Sequence, residues 1–313
     1  PGGRPSSLSA PVTYAGRVSA HPSSTYGGQA VMEGVMIRGA HAMAVAVRAP
    51  DGEIARHCEP LGGIFTSPLR RVPLVRGVLV LIETLALGLR ALTWSASVAT
   101  GQERHTLMRG VDWAVLAFTM LVAITVFFAG PVFVTAWLDR FLPAPAVIAL
   151  EGVLRLALLL LYISGIGRTP DVQRLFQYHG AEHMTIAAYE DGRDLTVPAI
   201  RRYPKEHPRC GTSFLLTVAL VALVVFSLAG AEPLWWRLSS RLILVPVVAA
   251  ISYEAIRFAG FHQDWPVIRW LFAGNLALQK LTTRVPDDEH IRVAIVALDD
   301  VRAEEARILR ARH

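Results

Sequence analysis

WAVLAFTMLVAITVFFAGPVFVTAWL, the stretch from residue 113 to 138, runs for 26 residues without a charged side chain. A helix of that length, rising about 1.5 Å per residue, is longer than the roughly 30 Å apolar core of a bilayer. Three further apolar runs follow, at residues 146–165, 212–231 and 242–260. Short connections join the first run to the second and the third to the fourth. The sequence therefore predicts a mainly α integral membrane protein with four transmembrane helices in two hairpins, within residues 111–167 and 212–260.

The composition of the whole 313-residue chain agrees with a membrane protein. Hydrophobic residues make up 53% and charged residues 18% of the chain, whereas soluble domains average about 25% charged residues. The two cysteines, Cys58 and Cys210, are too few for a disulfide scaffold. This composition excludes a disordered protein, a collagen-like fibre and a small disulfide-rich domain.

The positive charges predict which side of the membrane each segment faces. Residues 168–211 hold seven arginine or lysine residues, whereas the connections within the hairpins expose Arg140 in one case and Arg237 with Arg241 in the other, and we expect these two tips to lie outside. Cytoplasmic loops of membrane proteins carry an excess of Lys and Arg. We therefore expect a multi-pass protein of the cytoplasmic membrane whose termini and segment 168–211 are cytoplasmic. The net charge of +6 fits anionic lipid, so the lipid bilayer is the expected partner and nucleic acid is not.

The N-terminal part of the chain divides into a tail and a small β region. Residues 1–26 mix Gly, Pro, Ser and Arg without an apolar core, which predicts a disordered tail. Residues 27–71 contain β-like patterns at 30–37, 42–48 and 53–59, separated by turn residues. A small β meander on the cytoplasmic side is the simplest interpretation.

Residues 72–97 form an apolar segment that Arg76, Glu83 and Arg90 interrupt at intervals of seven. This spacing places the three charges along one stripe of a helix. We expect an amphipathic helix whose stripe meets water or a partner, because lipid disfavours charge. In a homo-oligomer, Glu83 of one copy would pair with an arginine of another; alternatively, the helix lies against the chain's own β region. Residues 261–313 predict two more helices, the first interfacial and the second soluble.

Ionisable residues also occur inside the predicted spans. Glu151 and Arg155 are four residues apart in the second apolar run, so they share one face of a helix. Ionisable residues in a span are candidates for function, but an internal pair also lets both charges be buried at low cost. We interpret the two residues as a structural ion pair rather than as an ion pathway.

The segment between the hairpins contains a candidate metal site. His179, Glu182 and His183 form an HxxEH motif with helical periodicity, so both imidazoles project from one helix face beside the carboxylate. His207 and Cys210 follow, three residues apart, just before the third apolar run. Two histidines with a further histidine or cysteine are a usual ligand set for zinc. We expect His179, His183, His207 and Cys210 to bind zinc, with Glu182 as a ligand or as the general base.

The number of ligands separates two uses of such a site. Four protein ligands close a zinc site and make it structural, whereas three leave a position for water or substrate and permit catalysis. A third interpretation needs no metal, because the same histidines and cysteine can brace the fold through hydrogen bonds.

Four separated motifs resemble the YqhQ-like family of bacterial membrane proteins. They are GGQAVMEGVMIRG (27–39), YHGAEHMTIAAYE (178–190), HPRCGTSF (207–214) and TTRVPDDEHIRVAIVAL (282–298). The resemblance implies a location in the bacterial membrane and a domain of unknown function, described as a predicted metal-dependent enzyme. It places the candidate metal site at His179, Glu182, His183, His207 and Cys210.

Two functions of different classes follow from these observations. The first is an oligomeric membrane scaffold or assembly factor, acting in membrane-protein biogenesis or quality control, with other membrane proteins as partners. The second is a zinc-dependent hydrolase at the cytoplasmic membrane surface, with Glu182 as its general base. The sequence slightly favours the first, because it offers few further polar groups for a substrate.

Overall fold

A computed structural model of the chain describes residues 26–62, 67–101, 110–207, 210, 215–262 and 265–311. The predicted disordered tail lies outside these residues, except for Tyr26. Tyr26 is buried, and its hydroxyl donates a hydrogen bond to Glu305 (2.9 Å). The prediction is therefore wrong for Tyr26, because this side chain packs into the fold that begins at the next residue.

Four antiparallel strands form a meander in the order β1-β2-β3-β4. The strands are β1 (Gly27–Val31), β2 (Gly34–Arg38), β3 (Ala42–Arg48) and β4 (Ile54–Pro60). The meander was predicted, but the single pattern at 30–37 is in fact a hairpin that turns at Met32 and Glu33. Glu33 adopts the left-handed conformation (φ 52°) that such a tight turn requires. The sequence around the turn is apolar on both sides, so the pattern alone did not reveal the reversal.

The sheet is the central layer between helices, as the sequence of β3 explains. Its residues AMAVAV alternate alanine with a larger side chain, and both sets are buried. The alanine face packs against α5 (Pro170–Glu190) and α11 (Asp288–Arg310), since small side chains let two helices approach the strand. The larger side chains pack against α1 (Val75–Ala99). Full burial of each such side chain contributes roughly 1.5–3 kcal/mol.

The C-terminal helix α11 belongs to the core of this three-layer unit. Val293, Leu298 and Val301 are fully buried between α11 and the sheet. Asp287 caps the helix by accepting hydrogen bonds from the backbone N–H groups of Glu289 and His290. The predicted helix is therefore present, but it forms one layer of the fold rather than a separate soluble cap.

The three charges of the α1 stripe all form ion pairs within the chain. The pairs are Arg76 with Glu254, Glu83 with Arg38 and Arg70, and Arg90 with Glu59. Glu83 is 1% exposed and lies between the helix and the sheet. The structure thus agrees with the alternative in which the helix lies against the chain's own β region. The homo-oligomer stays a prediction, and these charges no longer provide its support.

Apolar helices make up the second part of the molecule. They are α2 (Gly110–Ile124), a π-helical turn (Thr125–Ala129), α3 (Gly130–Ala136), a 3₁₀ turn (Trp137–Arg140), α4 (Ala144–Ile166), α7 (Leu215–Ala229), α8 (Leu234–Ile243) and α9 (Val245–Phe261). The described chain also contains the short α6 (Val197–Ile200) and α10 (Pro266–Thr282).

Two or three of these segments are long and apolar enough to cross a membrane, in place of the four predicted. The continuous helix Trp113–Arg140 and α4 qualify by length and composition, which indicates membrane association. Helices α8 and α9 qualify only as a pair, and they are bent by 50°. The described part of α7 has 15 residues. The apolar run predicted at 242–260 crosses this bend, because hydropathy does not record a change of helix direction. Pro246 lies in the first turn of α9, where proline is tolerated, and it therefore fits the start of a new helix.

A buried ion-pair network holds the apolar helices together. Arg237 and Arg241 are 0% exposed, and both donate hydrogen bonds to the carboxylate of Glu151. The predicted pair of Glu151 with Arg155 is also present (2.9 Å). The prediction that Arg237 and Arg241 mark an exposed connection is wrong, because α8 turns both guanidinium groups towards the carboxylate that neutralises them.

Candidate metal centre

Helix α5 presents the two histidines of the HxxEH motif on one face. His179 and His183 are one helical turn apart, and their ring centroids are 4.4 Å from each other. Helix α5 begins at Pro170, four residues after α4 ends at Ile166, so the motif lies close to a candidate membrane span. The predicted arrangement of the two imidazoles is therefore present.

Gly180 lies inside this helix because another segment crosses it closely. A Cβ atom at Gly180 would be 2.2 Å from the carbonyl oxygen of Arg284. The N–H of Arg284 in turn donates a hydrogen bond to the carbonyl of Phe176 (2.9 Å). Glycine is the residue that allows such an approach of two backbones. The segment that follows α10 is thereby held against α5, beside His179.

Cys210 completes a group of three donor atoms. Its Sγ is 3.1 Å from Nε2 of His179. The donor atoms of His179, His183 and Cys210 all lie within 4.8 Å of one another. Ligand atoms on one tetrahedral zinc ion are roughly 3–4 Å apart at bond lengths near 2.0–2.3 Å. Small adjustments of the three side chains would therefore bring them onto a single ion.

Main-chain carbonyl groups fix the orientation of both imidazoles. Nδ1 of His179 is 2.8 Å from the carbonyl oxygen of Thr282, and Nδ1 of His183 is 2.6 Å from that of Lys205. A carbonyl oxygen only accepts hydrogen bonds, so each Nδ1 donates and each neutral ring presents the lone pair of Nε2. The buried Nε2 of His183 faces the carboxylate of Glu182 and the thiol of Cys210. This combination is typical of metal-ligating histidines.

Glu182 lies beside the three donors and is buried. Its Oε2 is 3.6 Å from Nε2 of His183, and the backbone N–H of Gly28 donates a hydrogen bond to its carboxylate. Burial raises the pKa of Glu182, although the neighbouring histidines and Gly28 partly oppose this effect. Burial also lowers the pKa of His183, which favours the neutral ring that metals bind. The site therefore combines imidazole nitrogen donors with a carboxyl group whose pKa is raised.

His207 adjoins the group of three donors. Its ring centroid is 5.8 Å from that of His183, and its Nε2 is 3.4 Å from a carboxylate oxygen of Glu190. Burial lowers the pKa of His207. Glu190 lies seven residues beyond His183 on α5, so its carboxylate contacts His207 at the far end of the group. A ligand role for His207 stays a prediction.

Sequence reasoning missed several groups that build the site. Gly28 supports Glu182, the carbonyl groups of Lys205 and Thr282 orient the histidines, and the side chain of Gln279 contacts the main chain of His207. Every residue has a carbonyl group, so no sequence signal marks Lys205 or Thr282. Gln279 had a signal, since it is an uncharged polar residue within an apolar helix.

Comparison with known proteins identifies relatives without an assigned activity. A family described as "Protein of unknown function (DUF1385)" matches residues 72–304. The uncharacterized protein YqhQ of Bacillus subtilis (strain 168) is 36% identical over 301 residues, which cover 90% of this chain and 93% of that protein. No solved structure matches the chain significantly. The chain therefore belongs to the DUF1385 family, the YqhQ-like family of proteins of unknown function.

Proposed function

We propose that this protein is a zinc-dependent hydrolase at the cytoplasmic surface of the bacterial membrane. The observation that carries the proposal is the convergence of His179, His183 and Cys210, with both imidazoles oriented by main-chain carbonyls. These residues would supply two nitrogen ligands and one sulfur ligand. Three protein ligands leave one position open, as in catalytic zinc sites. His207 is left out of this ligand set because its Nε2 lies beside Glu190.

Glu182 would act as the general base. A zinc ion in this site would supply Lewis acidity, which activates water for attack on a carbonyl or phosphoryl group. Oε2 of Glu182 would take the proton of the attacking water and return it to the leaving group. A general base is most effective when its pKa lies near the working pH, and burial raises the pKa of Glu182 in that direction. The hydrogen bond from Gly28 would keep the carboxylate aimed at the site.

The position of the site supports action at the membrane surface. His179 and His183 lie on the helix that follows α4, and the carbonyl of Thr282 ends α10. Cys210 precedes the apolar helix α7 by five residues. The positive charge of residues 168–211 supports a cytoplasmic location for this side, with both termini on the same side. The bilayer is then the first partner of the protein.

Metal analysis of purified protein in mild detergent tests this proposal. We expect about one zinc per chain in the wild type and loss of metal in His179→Ala and His183→Ala. The matched control is His57→Ala, which removes a partly exposed histidine of β4. Glu182→Gln should keep zinc but lose hydrolysis of fluorescein-labelled casein and p-nitrophenyl acetate. Wild-type protein without metal would refute the proposal.

An oligomeric scaffold or assembly factor for membrane proteins is the second candidate function. It is favoured by an apolar row on the outward face of α1, where Ile82, Leu85, Leu89 and Leu92 are 45–64% exposed. In this case Glu182 would be the fourth ligand of a closed, structural site. Loss of zinc in Glu182→Gln, together with a mass above one chain in mild detergent, would favour the scaffold over the hydrolase.

A further inference from the structure

Gln279 is a fully buried amide in the last turn of the apolar helix α10. Its Oε1 accepts a hydrogen bond from the backbone N–H of His207 (2.8 Å), and its Nε2 donates one to the carbonyl of His207 (2.8 Å). The amide thus pairs with both main-chain groups of one residue. Burying an amide is costly unless it is hydrogen-bonded. A leucine would suit the apolar helix better. We therefore attribute the amide at this position to its hydrogen bonds with the main chain of His207.

Gln279 also influences Cys210, because both residues donate hydrogen bonds to the carbonyl of His207. The backbone N–H of Cys210 donates a hydrogen bond to the carbonyl of His207 (3.2 Å), the same carbonyl that accepts from Gln279. Gln279 therefore holds the carbonyl group to which the N–H of Cys210 donates. Any displacement of His207 would move the thiol relative to α5.

The same end of α10 also contacts the other metal-binding element. The carbonyl of Thr282 accepts the hydrogen bond from His179, and the hydroxyl of Thr283 donates to the carbonyl of Gln279 (2.8 Å). The ammonium group of Lys205 donates to the hydroxyl of Thr283 (3.0 Å). The C-terminal end of α10 therefore contacts both His207, which holds Cys210, and His179 of α5. It sets the distance between the thiol of Cys210 and the two imidazoles.

We infer that Gln279 is a positioning residue of the metal centre, which acts through the main chain of His207 to hold Cys210 within reach of His179 and His183. The inference rests on the proposed metal function. Gln279→Leu removes both hydrogen bonds to His207 but keeps an apolar helix. We expect metal affinity to fall about 10–100-fold, as when outer-shell partners of metal ligands are removed.

The effect should be specific to the thiolate. His179 and His183 are oriented by the carbonyls of Thr282 and Lys205, which Gln279→Leu leaves in the chain. Cobalt(II) is a suitable probe, because thiolate coordination gives a sulfur-to-cobalt charge-transfer band in addition to the d–d bands. In Gln279→Leu we expect this charge-transfer band to weaken strongly while d–d absorption persists. A general loss of folding would remove both.

The experiment titrates the full-length, metal-depleted protein in mild detergent with Co²⁺ and follows both absorption regions. Cys210→Ser defines the spectrum without the thiolate. Gln173→Leu is the matched control, since Gln173 also donates to a main-chain carbonyl but is exposed. A Gln279→Leu variant with wild-type affinity and charge-transfer band would overturn the role of Gln279 alone. Absence of Co²⁺ binding in the wild type would refute the metal function, and the role of Gln279 with it.

Discussion

Replacing Gly180 with alanine should weaken metal binding by displacing the carbonyl of Thr282, which orients His179 but does not contact Gly180. The added Cβ would lie 2.2 Å from the carbonyl oxygen of Arg284, a backbone atom that cannot rotate away. Relief of this overlap requires the segment after α10 to move by about 1 Å. Thr282, two residues earlier at the end of α10, provides the carbonyl that orients His179.

The expected loss of metal affinity follows from one hydrogen-bond distance. The contact between Nδ1 of His179 and the carbonyl of Thr282 is 2.8 Å. A shift of about 1 Å along this contact would take it beyond the range of a hydrogen bond. Removing such a partner of a metal ligand lowers metal affinity about 10–100-fold. Crowding costs about 1–3 kcal/mol, but alanine in place of a helical glycine returns about 1 kcal/mol. The free energy of unfolding should therefore fall by only about 0–2 kcal/mol.

Co²⁺ affinity and thermal unfolding, measured on the same detergent-solubilised samples, test this reasoning. The control is Gly165→Ala in α4, because a Cβ at Gly165 meets no atom within 4 Å. The control should bind metal as the wild type does and unfold at the same or a slightly higher temperature. A Gly180→Ala protein that binds Co²⁺ with wild-type affinity would show that the contact between Thr282 and His179 does not govern the site.

Three further predictions concern the ion pairs and the topology. Glu151→Ala should destabilise the apolar helices by about 3–5 kcal/mol, because it leaves buried guanidinium groups unpaired. Unfolding titration in mixed micelles measures the change in the free energy of unfolding, and a change below about 1 kcal/mol would contradict the prediction. The hydrogen bond from Arg174 lowers the pKa of Glu33 below its unfolded value, so the stability that this pair contributes is present at neutral pH and lost as the pH falls through the folded pKa. Glu33→Gln should therefore cost about 0.5 kcal/mol at pH 7, since Arg174 is half-exposed, and progressively less as the pH falls through the folded pKa of Glu33, whereas a cost independent of pH would refute the pairing. A cysteine at Arg140 should react with an impermeant maleimide on intact cells, and one at Arg201 only after permeabilisation; the reverse result would invert the orientation.

Local periodicity explains what could be predicted of the fold. The apolar runs at 113–138 and 146–165 were located as helices, because the helical rise sets how many apolar residues a span needs. The amphipathic helix and the β meander were also found. The bend between α8 and α9 and the number of spans could not be predicted, because a helix direction depends on its neighbours and not on its hydropathy.

Part of the candidate site could also be predicted from the sequence, and part of it could not. His179 and His183 share a helix face because they are four residues apart, and this property follows from the sequence alone. Whether Cys210 or His207 would come within reach of them depended on how the end of α10 and the segment after it contact α5. Only the folded chain decided this, and it placed Sγ of Cys210 3.1 Å from His179 and left His207 beside Glu190.

The sequence by itself determined the motif and its helix, and the tertiary structure decided how the motif is held. The partner of His179 is a carbonyl group 103 residues away, and that of His183 is one 22 residues away. A carbonyl group belongs to every residue, so its identity leaves no trace in the sequence. Its position is set when the sheet packs between α1 on one face and α5 with α11 on the other, and when the end of α10 meets α5. The orientation of both imidazoles is therefore a property of the packed chain, because hydrogen bonds from these rings to distant main-chain carbonyls form only once the layers have assembled.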